Sequence, residues 1–413
     1  MLIIFLFTFI ELSIFSFFSP VDETTEYVFI IINAIIVSFV INRQYPNYYK
    51  FFLLAYILRI VLLLIDYNHI FPVLHSGADS EIFNLNSSIN AKNGNYELRG
   101  TNYEIFITWL YMLLGNCRLI VQYINILFGI GVVIYLSKIF DEINLNENLK
   151  KNALTIAIVF PHLIIFSGIL LREAWCEFFI AISLFYFIKW MKYNQIQFIA
   201  LSIISVLSAS WMHSGCIFIA AGYLISFAFY HPELEKSKVS FAAVILLCFL
   251  VLSSTIILTS TNIFTERFES FDENKLRQEG VYNYDFEGKS VYLTWINPNS
   301  PIQLLLFSPL KMFYFLFSPI PIDWRGGQDI IAFFFDSIFY FYFVYYTIKY
   351  HKKLKTGLKK NICRYILISL FFLCFVFGYG TTTAGTAIRH RCKIFPIFLT
   401  MYVLSVSEKK KYI

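Results

Sequence analysis

Two carboxylates separated by one residue, Asp79 and Glu81, stand in HSGADSEIF (residues 75–83) of an otherwise apolar chain. In an extended segment both would point the same way; in a helix they would diverge by about 200°. A partly desolvated carboxylate is a competent general base toward a sugar hydroxyl, and the alternative is a solvated loop acid. A second group lies in GILLREAWCEFF (168–179), where Arg172 and Glu173 separate two apolar runs joined by almost no loop. Charges at such a turn are costly unless they face a cavity or find partners. Arginine fits the oxygen fork of a phosphate or pyrophosphate, and Glu173 would fix it or act as a base. Otherwise the pair snorkels at an interface. Glu177, one turn on, falls on the same helix face as Glu173 and slightly deeper.

The third group is Arg389, His390 and Arg391 in GTTTAGTAIRHRCKIFP (380–396). They sit at the outer mouth of the last apolar run, where an orientation signal would disfavour arginine. The hydroxyl-rich approach suits an anion cradle, although it is no P-loop and has no Walker lysine; lipid headgroup contact is the other use. His213 occupies a nearly loopless turn, WMHSG, as a hydrogen-bonded structural residue or a base. SPIPIDWRGGQD (318–329) carries Asp323, Arg325 and Asp329 on broken backbone, which lines either a cavity or an ordinary interfacial turn. Arg277, Tyr282 and Tyr284 lie in a polar stretch whose aromatic faces could stack on sugar rings. Two neighbouring acids are too few to specify a metal, so neither a metal nor a cofactor is expected. The seven cysteines show no CxxC and no Cys/His ligand spacing, which argues against zinc or a disulfide framework.

The elements that position these residues are membrane helices. The 413 residues are 58% hydrophobic and only 15% charged, far from a soluble composition. An all-α polytopic fold is expected, with apolar runs near 2–19, 27–42, 51–66, 119–139, 152–171, 173–191, 197–213, 215–230, 239–259, 329–349, 362–379 and 393–407, twelve spans in all. Residues 1–19 lack a basic leader and a cleavage site and read as a retained span. Basic connections at 43–50, 138–151, 189–192, 236–238 and 349–360, with the tail 409–411, belong in the cytoplasm. Parity then makes the stretches 103–115 and 303–322 interfacial or re-entrant helices on the outer side. Loops 67–102 and 260–302 also face outward, and residues 1–413 form one membrane domain. The net charge of +6 reflects membrane orientation, so no nucleic-acid partner is expected.

SGADSEIF, LLREAW, the turn at His213, SPIPIDWRGG and GTAIRHR, in this order between residues 76 and 396, resemble bacterial repeat-unit polymerases of the Wzy type, which make O-antigen, capsule or exopolysaccharide. More distantly, the early outer-loop acid is similar to that of GT-C class glycosyltransferases. The resemblance implies a multi-pass protein of the bacterial inner (plasma) membrane with its active site on the extracytoplasmic side. It implies as substrates undecaprenyl-pyrophosphate-linked oligosaccharides in the lipid bilayer, and as partners a chain-length regulator and a flippase. Carried over, Arg172, Arg389, His390, Arg391 and Arg325 would hold the lipid pyrophosphate. Asp79, with Glu81 or Glu173 as rivals, would accept the acceptor's proton, and His213, Arg277, Tyr282, Tyr284 and Asp323 would contact sugar. The competing expectations are a GT-C enzyme adding one sugar from a polyprenyl-phosphate donor, and a flippase or transporter of lipid-linked oligosaccharides. Transport would have to use the few charges inside the apolar runs, Glu11, Arg59 and His162.

Overall fold

A computed structural model describes residues 1–77, 79–94, 101–234, 236–237, 291–293, 295–296, 301–352, 354 and 357–407. These residues are all-α, apart from a short antiparallel pairing of Tyr230–His231 with Lys236–Ser237. The helices are α1 (Leu2–Phe15), α2 (Glu23–Gln44), α3 (Tyr49–Tyr67), α4 (Asp79–Lys92), α5 (Asn102–Leu114), α6 (Arg118–Glu142), α7 (Glu147–Val159), α8 (Pro161–Gly168), α9 (Glu173–Tyr193), α10 (Ile196–Met212) and α11 (Ile219–Phe229). After the polar stretch come α12 (Pro301–Phe317), α13 (Gly327–Ala332), α14 (Ile338–His351), α15 (Leu358–Tyr379), α16 (Ala384–Lys393) and α17 (Phe395–Val406).

Among the described residues six helical stretches are long and apolar enough to cross a membrane: Glu23–Gln44, Pro46–Tyr67, Arg118–Glu142, Glu173–Tyr193, Gly327–His351 and Leu358–Tyr379. The bent pair α7 and α8 makes a seventh if it is one span. It breaks by 48° at Phe160, because Pro161 has no N–H to continue α7 and instead starts α8. Five shorter apolar helices cover other expected runs, including Leu2–Phe18 and Phe395–Val406. The run expected at 239–259 lies outside the described residues.

The surface suits lipid better than water. Large apolar side chains such as Phe39, Ile35, Leu306 and Ile348 are well exposed along α2, α12 and α14, and an extensive apolar exterior of this kind marks a lipid- or partner-covered face. In contrast, α6 is a central post, with 94% of its most apolar window buried. It packs against α9, α3 and α8, and α9 packs in turn on α10. Close approach sets one contact here: a Cβ on Gly129 of α6 would fall 2.5 Å from Ser167 Cβ and 2.9 Å from Arg59 Nε.

The bundle interior holds a polar spine that goes beyond Glu11, Arg59 and His162, the charges expected inside the apolar runs. Arg59, Asp66, Glu177 and Asp336 are all buried. Asp336 occupies a π-helical widening, Phe333–Ser337, between α13 and α14, which turns it toward His162 and Arg391.

Candidate functional site

The turn between α8 and α9 is the rigid floor. Asn125 of α6 places its amide nitrogen 2.9 Å from Ile169 O and 3.0 Å from Leu171 O, while its Oδ1 accepts from Trp175 Nε1 at 2.8 Å. One buried side chain therefore ties down both flanks of Arg172 and Glu173, which explains how two charges hold position without a loop. Asn125→Ala is expected to destabilise the protein by about 2–3 kcal/mol, since several buried polar groups lose partners at once, and to lower turnover. Thermal unfolding of the purified protein beside an activity assay checks both.

Above that floor lies α16, capped by Thr383, whose hydroxyl accepts from Thr386 N at 3.3 Å. Its Arg389 reaches Glu173 Oε1 with Nε at 3.1 Å and Nη2 at 2.9 Å, and its Nη1 donates to Asp79 Oδ2. Lys393 Nζ, one turn further, is 3.5 Å from the same Glu173 oxygen. Burial works against the Arg389 charge, yet Glu173 and Asp79 outweigh it and hold its pKa above the ordinary value. Asp79 is the first residue of α4 and is 46% exposed, whereas Glu173 is fully buried. Segments separated by hundreds of residues in sequence thus converge on one partly open cluster. Arg172, the residue before Glu173, acts on the same carboxylate electrostatically, so three basic side chains, Arg172, Arg389 and the buried Lys393, face two carboxylates, Asp79 and Glu173.

Two pairs of histidines lie near the cluster. The His213 and His390 rings lie edge to face at 4.6 Å between centroids. Burial, then Lys393, His213, Arg389 and Arg172, push the His390 pKa well below its usual value. His75, in a left-handed backbone conformation at φ 66°, stands 5.8 Å from the His162 ring. Burial chiefly, with His162 and Arg389 adding, lowers the His75 pKa to about 4. Because the folded value is the lower one, the unfolded chain binds the extra proton between about pH 6.5 and pH 4. The stability contributed by neutral His75 is therefore present above that window and lost as pH falls through it. His75→Gln is expected to flatten this part of the stability profile, read from melting temperature against pH.

The other expected residues distribute as follows. In helical α4 the two acids of the DSE triplet diverge, and Glu81 turns away from the cluster to a two-pronged pair with Arg118 at 2.7 and 2.9 Å. Glu81→Gln is accordingly expected to cost less than about 1 kcal/mol of stability, the loss of one half-exposed pair, which thermal unfolding would show. Arg391, two positions after Arg389, points to the opposite side of α16 and is fully buried. It pairs with Asp336 and donates to Phe315 O at 2.8 Å and Ser318 O at 2.6 Å, while Asp336 Oδ1 is 3.0 Å from His162 Nδ1. Arg325 is exposed and donates to Val291 O at 2.7 Å, and its backbone N–H donates to Asp329. Asp323 lies in the same segment, with its carboxyl pKa raised by burial and by Asp329 despite Arg325. Arg277, Tyr282 and Tyr284 lie outside the described residues.

Sequence reasoning did not single out Lys393, His75 or Asp336. An acid inside the apolar run 329–349 was the available signal for Asp336, and the i, i+4 spacing from Arg389 was the one for Lys393. Among the described residues there is no group of three or more His, Cys, Asp or Glu side chains able to hold a metal ion. No protein-family model, no curated protein and no solved structure matches this chain.

Proposed function

We propose that this chain is a bacterial plasma-membrane glycosyltransferase that polymerises undecaprenyl-pyrophosphate-linked oligosaccharide repeat units on the extracytoplasmic side. The observation that carries the reading is the convergence of Asp79, Glu173, Arg389 and Lys393 into one partly open cluster, with Arg172 acting on Glu173 from the preceding position. In this reading the chain crosses the membrane twelve times, with α5 and α12 at the outer interface, and the cluster opens outward.

The chemistry is a displacement at the anomeric carbon of the donor chain. The acceptor hydroxyl oxygen forms the new glycosidic bond as the bond from that carbon to the pyrophosphate oxygen breaks. Asp79 takes the hydroxyl proton. Arg389 and Arg172, with Lys393 behind them, offset the charge that grows on the departing lipid pyrophosphate. Glu173 holds Arg389 in the required orientation. Arg391 serves the fold in this account, and Arg325 lies at the rim.

Deleting the gene in its host and analysing surface polysaccharide with lipid-linked intermediates tests the reading. Single repeat units in place of a ladder are expected. Incomplete lipid-linked units would favour a transferase adding one sugar. One observation favours transport as a second reading: the buried His162, Asp336 and Arg391 network stands inside the helix bundle. Complete units trapped on the cytoplasmic side would decide for it.

A further inference from the structure

We propose that Asp79 occupies the anion seat of Arg389 while the site is empty, and that a pyrophosphate-bearing ligand displaces it, freeing the carboxylate to act only once the donor is bound. This rests on the reading of the cluster as a pyrophosphate site. It adds an order of events and an internal competitor to that reading.

The two partners of Arg389 are not equivalent. Glu173 is fully buried and receives Nε and Nη2, so that edge of the guanidinium is fixed. Nη1 goes to Asp79, which is 46% exposed and begins its helix after Gly77 at φ +91°. Asp79 is therefore the partner that can leave. Two buried polar atoms beside the pair make no hydrogen bond among the described residues, Glu173 Oε2 and Arg172 Nε. The Arg172 donor is left for an incoming oxygen, and the cations Arg172 and Lys393 add attraction that a single carboxylate does not exploit. Pyrophosphate brings more charge and more acceptor oxygens than one carboxylate, and so competes well for Arg389.

The exchange joins two requirements. A carboxylate held by Arg389 has its oxygen occupied and is poorly available to an acceptor hydroxyl. When pyrophosphate takes the Nη1 edge, that oxygen is released beside the anomeric carbon the donor has just delivered. Binding is then ordered, donor before acceptor, and a base without a donor is avoided.

The test titrates inorganic pyrophosphate into the full-length protein in detergent by calorimetry, comparing wild type with Asp79→Asn, Asp79→Ala, Arg389→Ala and Arg389→Lys, each checked for an unchanged melting transition. Removing the competing charge is expected to tighten pyrophosphate binding about two- to fivefold in both Asp79 variants, the range for loss of one half-exposed ion pair. Arg389→Ala is expected to abolish binding, with Arg389→Lys covering the case in which the alanine variant does not fold. Unchanged or weaker binding in both Asp79 variants, with binding still dependent on Arg389, overturns the displacement and leaves the pyrophosphate site standing. Wild-type affinity in the Arg389 variants overturns the site itself.

Discussion

Replacing Arg389 with alanine is expected to lower polymerisation by about 10²–10³-fold, the usual cost of losing a preorganised donor aimed at developing negative charge. Among the described residues the side chain is the only group seen to touch both carboxylates of the cluster, with Glu173 on one edge and Asp79 on the other. In the proposed reading its loss removes the contact to pyrophosphate, and with it the exchange that frees Asp79. Lys393 Nζ, at 3.5 Å from Glu173, keeps that buried carboxylate from being wholly unpaired, so the protein is expected to accumulate in the membrane. Arg389→Lys sharpens the result. It keeps the charge but loses the fork that spans two acids, and a drop of about 10–100-fold is expected from the loss of geometry. Turnover in the lysine variant equal to wild type would show that charge alone matters there.

The second large effect concerns stability. Arg391→Ala is expected to destabilise the protein by about 3–5 kcal/mol, because it strands Asp336 as a buried charge and leaves Phe315 O and Ser318 O without their donor. His162, 3.0 Å away, offsets this only to the extent that its ring is protonated. Most of the loss is expected to return in the double variant Arg391→Met with Asp336→Leu, which removes both charges together. Membrane abundance and thermal unfolding in detergent would show both. A stable, abundant but inactive Arg391→Ala protein would instead put this side chain in the chemistry, as the sequence alone suggested.

That contrast shows what the sequence made legible. Apolar runs located nearly every helix, because the membrane-length period of hydrophobicity is written in composition. It also singled out Arg172, Glu173 and Asp79, since charges at a loopless turn or opening a polar loop are conspicuous against such a background. Pairing was not legible. Arg389 and Arg391 look equivalent in RHR, and only the helical geometry of α16, which turns about 100° per residue, sends one to the cluster and the other into the core. The same geometry separates Asp79 from Glu81. Asp336 was hidden for a different reason: a single acid in a long apolar run carries no mark of its partner, and Arg391 lies on another helix.

The measurement closest to the central claim is reconstitution of the purified protein in liposomes with an undecaprenyl-pyrophosphate-linked repeat unit, with products resolved on a gel. A ladder of polymer from the wild-type protein, absent with Arg389→Ala and Asp79→Asn, is the predicted result. Unextended repeat units from a folded wild-type protein, or equal ladders from all three, would contradict it.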